Sequence, residues 1–99
     1  MKIRFRQTGG FAGLSQSAEL DTSQLPPTEA TQIEQLVDQA SFWEMRPPQR
    51  QIFPDQEQYS VTIESEGRSR TLHMGRSKIP PALKPLIDRL ARDATYDKR

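Results

Sequence analysis

The sequence contains no cysteine. That excludes a disulfide framework, a thiolate zinc site and a cysteine nucleophile, and it fits a reducing compartment. There is one histidine, His73, so a zinc site built on several histidines cannot form within one chain. Apolar residues make up 33% of the chain and aromatics 7%, which limits the fold to a thin core. No apolar run approaches the roughly 20 residues of a membrane span. The opening MKIRFRQTGG is basic and alternating, without the continuous apolar stretch of a signal peptide. The net charge is only +1, so the cationic surplus of a general nucleic-acid binder is also missing. These absences lead to the expectation of a cytoplasmic monomer, a single domain over residues 1–99. It should bind neither membrane nor nucleic acid, and it should need no cofactor or metal of its own.

What is present has the periodicity of a folded domain. In KIRFRQ (2–7), Ile3 and Phe5 alternate with Lys2, Arg4 and Arg6, the period of a half-buried strand. SQSAELD repeats this more weakly, with Ala18 and Leu20 inward, so the two segments predict a hairpin. After Pro26 and Pro27, the residues Ala30, Ile33, Leu36, Val37 and Ala40 recur at helical spacing. Phe42, Trp43 and Met45 follow and are expected to cap the core. RPPQRQIFPD (46–55) has three prolines and predicts an ordered surface loop, with Ile52 and Phe53 either tucked beneath it or exposed. Tyr59, Val61 and Ile63, a Glu66-Gly67 turn, then Leu72 and Met74 predict a second hairpin. Leu83, Leu86, Ile87, Leu90, Ala91 and Ala94 predict a second helix, regular from about Lys84 after a tight opening turn at Pro80 and Pro81. The terminal TYDKR is expected to fray. The order ββαββα predicts an α+β fold, a two-layer sandwich of a four-stranded antiparallel sheet with two helices on one face.

Few residues offer chemistry. His73 alternates with Leu72 and Met74 and should sit solvated on the outer sheet face. No G-x-S-x-G motif supports a serine nucleophile. Glu64 and Glu66 lie near an exposed turn, without the burial that would separate two carboxylate pKa values. Arg4, Arg6, Arg68 and Arg70 could line one sheet face, but Glu19, Asp21 and Glu64 interleave with them, giving a mixed, solvated surface.

One stretch stands apart. TGGFAGL (8–14) holds three of the five glycines within five positions, with Phe11 and Leu14 among them. It matches no phosphate-binding glycine motif. Two readings remain open from the residues. Phe11 and Leu14 fold back over the open end of the sandwich, with glycine supplying only the turn. Alternatively, they form an apolar anchor on backbone that can approach a partner closely.

The stretches MKIRFRQTGGFAGL, LPPTEATQIEQLVDQASFWEM, QYSVTIESEGRSRTLHMG and IPPALKPLIDRLAR together resemble the emfourin family, in order and over nearly the whole chain. The family comprises small intracellular protein inhibitors of thermolysin-like zinc metallopeptidases, often associated with protealysin-type enzymes. GGFAGL and PPALKPLIDRL are the most specific parts. The resemblance implies that the protein is not an enzyme and that it blocks a peptidase's active-site cleft, the zinc being the target's. Gly9, Gly10, Phe11, Ala12, Gly13 and Leu14 match the family's glycine-rich motif. Thermolysin-like enzymes favour a bulky apolar residue just after the scissile bond, and Phe11 or Leu14 would fill that subsite. This pose is inferred from the side chains, not taken from the family. One hairpin tip is too small for an inhibitor interface of about 800 Å² per partner, so a neighbouring surface should help, through Phe53. RPPQRQIFPD follows no family pattern, and Phe42-Trp43-Glu44 only loosely resembles a family position with paired aromatics. The alternatives are a regulatory or protein-interaction module with no peptidase target, and a small enzyme centred on His73.

Overall fold

The computed structural model describes residues 1–9, 15–46 and 57–96. Strand β1 (Lys2–Gly9) buries Ile3 and Phe5 and exposes Lys2, Arg4 and Arg6, as its alternation predicts. It pairs antiparallel with β2 (Gln16–Asp21), in register from Lys2↔Asp21 to Gln7↔Gln16. A 3₁₀ turn, Thr22–Gln24, leaves β2. There the Asp21 carboxylate accepts from the Ser23 hydroxyl (2.7 Å) and backbone N–H (3.0 Å), and these two bonds lower its pKa.

Helix α1 (Pro27–Gln39) begins with Pro27 at its first position, where a missing N–H costs little. It buries Ile33 and Val37 against the sheet. Its exit is a Schellman motif: Phe42 N–H bonds the Val37 carbonyl, and Ser41 N–H bonds that of Asp38. Ser41 takes the left-handed position, φ 51°, where glycine is usual. Phe42 is thereby turned into the core and fully buried. Trp43 and Met45 pack against the same core, as their place in the sequence predicts.

Strands β3 (Glu57–Ser65) and β4 (Arg68–Gly75) form the second hairpin. Its two-residue turn has positive φ at both Glu66 (53°) and Gly67 (80°), the geometry whose twist suits paired strands. The two hairpins join through β1 and β3, antiparallel from Lys2↔Glu64 to Gly9↔Glu57. Helix α2 (Lys84–Arg92) follows a turn in which the Pro80 carbonyl accepts from Leu83 and Lys84, the tight opening expected before a regular start at Lys84. It buries Leu86, Ile87 and Leu90.

The four long strands and two helices form the expected α+β sandwich. Two expectations need correction. Thr95–Tyr96 do not fray: they form a short strand, β5, on Gln16 and Ser17, so the sheet runs β4-β3-β1-β2-β5. The outer edge of β2 offers unpaired backbone groups, and the turn after α2 brings the chain back to them. Arg68 and Arg70 do not share a face with Arg4 and Arg6. Register aligns Arg70 with Ile63, and Ile63 with Ile3, all on the helix side of the sheet.

Replacing Ser41 with glycine removes the left-handed strain without touching the core. Ser41→Gly should stabilise the fold by about 1 kcal/mol, read as a higher urea midpoint at unchanged slope.

Candidate functional site

Of the residues singled out for partner binding, Gly9 is described; Gly10, Phe11, Ala12, Gly13, Leu14 and Phe53 lie outside the described residues. Gly9 ends β1 with φ 84°, a conformation that a side chain resists. Part of the glycine content of TGGFAGL is therefore a backbone requirement at the strand's end.

Gly9 stands opposite Glu57, the first residue of β3. The chain thus enters the glycine-rich stretch and returns from 47–56 at neighbouring points of one sheet end. Gly75 is opposite Gln58, and Tyr96 is opposite Gln16, at this same end. The two separate stretches, GGFAGL and the one holding Phe53, are rooted side by side.

Polar contacts fix the Glu57 root. The Tyr59 hydroxyl donates to Glu57 Oε2 at 2.9 Å, and Arg76 Nη1 lies 3.6 Å from the same oxygen. The Tyr59 ring stacks on Phe5, centroids 5.9 Å apart and planes 27° from parallel. Burial, then the bond to Glu57, pushes the Tyr59 hydroxyl up to about 12.

The other root of 47–56 is tied to β4. Arg70 Nη1 donates to the carbonyls of Phe42 (2.9 Å) and Trp43 (2.7 Å), and Nη2 donates to that of Met45. These carbonyls follow the helix, beyond the reach of its ladder, and a half-buried guanidinium satisfies them. Arg68 stacks over Trp43, its guanidinium carbon 4.0 Å from the ring centroid. Trp43 in turn meets Phe42 edge-on at 5.7 Å. Sequence reasoning missed this cluster. The available signal was that Arg68 and Arg70 share parity with Leu72 and Met74, the inward residues.

The outer sheet face is polar. His73 is exposed there, opposite Ser60, as its alternation predicts. Arg4 pairs with Glu19 at 3.5 Å, and the hydroxyls of Thr62 and Thr71 are 2.7 Å apart. Glu66 is an exposed turn residue and Glu64 is only half-buried, so they form no enclosed carboxylate pair. Among the described residues, no three His, Cys, Asp or Glu side chains are grouped to hold a metal ion. None of the described helices is long and apolar enough to cross a membrane.

The Emfourin family model matches residues 5–91. The chain belongs to the Emfourin family. The match takes in the first hairpin from Phe5 onward, the second hairpin, both helices as far as Ala91, and the whole of 9–14 and 46–57. The Arg70 and Tyr59 contacts are thus built from residues within the matched span. No curated protein and no solved structure matches the chain.

The raised Tyr59 pKa carries a sign. The neutral phenol is favoured in the fold, so its contribution is fully present below pH 10, the unfolded value, and is lost as pH rises toward about 12. Unfolding free energy should fall across that window, more steeply in the parent than in Tyr59→Phe, as followed by denaturant titration at fixed pH values.

Proposed function

We propose that this protein is an inhibitor of a thermolysin-like zinc metallopeptidase and performs no reaction itself. Family membership over residues 5–91 carries the reading. The Gly9–Leu14 loop enters the target's active-site cleft. Phe11 or Leu14 fills the apolar subsite just past the scissile bond, and the glycines let the backbone approach. The catalytic zinc is the target's. The inhibitor works in the cytoplasm as a monomer.

The paired roots at Gly9 and Glu57 support a two-part contact. A single loop falls short of the roughly 800 Å² per partner that a stable inhibitor complex buries. A second segment rooted beside it, bearing Phe53, extends the surface. Both segments spring from an eight-pair ladder, which limits the freedom lost on docking. Roots held in the ladder also disfavour the pose that a peptidase needs for cleavage.

The direct test is inhibition of a purified thermolysin-like enzyme, with zinc in excess so that chelation cannot mimic inhibition. The parent should inhibit. Phe11→Ala or Leu14→Ala should weaken inhibition by roughly 2 kcal/mol or more, the scale of an interface anchor, with thermal unfolding unchanged. Parent-like inhibition by both variants would remove the loop from the mechanism. Unfolding of both would place the two side chains in the core instead. An inactive parent, with no metallopeptidase captured by pull-down, would favour an interaction module without a peptidase target.

A further inference from the structure

Residues 47–56 join two points that the structure fixes by different means. At the entry, Arg70 spans three carbonyls, of Phe42, Trp43 and Met45, while Arg68 covers Trp43. At the return, Tyr59 donates to Glu57, and Arg76 approaches the same carboxylate oxygen. The holding side chains come from β3, β4 and the turn directly after β4, not from either helix. The core itself is made of apolar side chains from both hairpins, both helices and the turns beside them.

We infer that Arg70 and Tyr59 are positioning residues for inhibition, fixing the two ends of the Phe53-bearing segment relative to the Gly9 loop. The inference rests on the inhibitor reading and deepens it. A segment whose ends are fixed loses less conformational freedom when its side chains dock. The Arg70 guanidinium suits this role because its planar fork reaches several acceptors at set angles. A lysine ammonium keeps the charge but not the fork. The Tyr59 hydroxyl acts on Glu57, opposite Gly9, and so on the point where the two segments adjoin. Tyr59→Phe removes that hydroxyl and keeps the ring that stacks on Phe5.

The test uses the full chain and purified thermolysin. Arg70→Lys and Tyr59→Phe are each made in three backgrounds: parent, Phe53→Ala and Phe11→Ala. Inhibition constants and thermal midpoints are measured for all. In the parent background, each substitution should weaken inhibition by about fivefold or more, the range of coupled neighbouring sites. That loss should shrink below about twofold with Phe53→Ala and persist with Phe11→Ala. A purely structural role predicts the same loss in every background, together with a lowered midpoint. Equal losses in every background, or parent-like inhibition by folded Arg70→Lys and Tyr59→Phe, would overturn the inference. Were Arg70→Lys to misfold, Tyr59→Phe alone decides it, since its core contacts are kept. If the parent leaves thermolysin active, the inhibitor reading itself fails and this inference falls with it. If Phe53→Ala alone has no effect, the positioning role is refuted while the Gly9 loop still stands as the anchor.

Discussion

The antiparallel pairing of β1 with β3 is the constraint on which the rest depends. It joins two hairpins that are separated in sequence by α1 and a proline-rich stretch. Its inward residues, Ile3, Phe5, Val61 and Ile63, are all buried and form the floor that both helices cover. An isolated hairpin is marginal in water. Stacking four strands side by side, with apolar helix faces above them, gives a chain with so few apolar residues a continuous core. The same ladder ends at Gly9↔Glu57, so the pairing that builds the core also sets the roots of the two candidate contact segments opposite each other.

Polar contacts do a different job from the core. Arg70 lies in the inward register of β4, beside Ile63, where an unpaired cation would be costly. It is accommodated because α1 ends in a Schellman turn and delivers three carbonyls to its guanidinium. The helix exit and the strand arginine thus solve each other's problem. Glu57, Tyr59 and Arg76 form a smaller counterpart near Gly9.

Local physics made much of the architecture legible. Alternation at Ile3 and Phe5, and at Val61 and Ile63, marked strands because side chains alternate across a sheet. Three- and four-residue spacing at Ile33, Leu36 and Val37, and at Leu86, Ile87 and Leu90, marked helices for the corresponding reason. Glu66-Gly67 announced its turn through the positive φ that glycine tolerates. The brief strand at Thr95–Tyr96 was not legible, because two residues carry no periodicity and their order comes from β2's unpaired edge. The facing of Arg68 and Arg70 was misjudged for a related reason. Basic residues suggest solvent, and only the register with Ile63 and Ile3 shows that strand parity turns them inward. The candidate site was half legible: its glycine motif stood out, while the hold on its neighbour did not.

The sequence by itself determined the element order, the amphipathic faces and the family, since each is written in spacing and short motifs along one stretch of chain. Tertiary structure alone decided that β1 lies against β3, that Gly9 stands opposite Glu57, and that Arg70 meets the carbonyls beyond α1. Those are contacts between residues 25 to 62 positions apart. No local periodicity encodes such a pairing; it exists only once burying the apolar face has fixed the strand order and register.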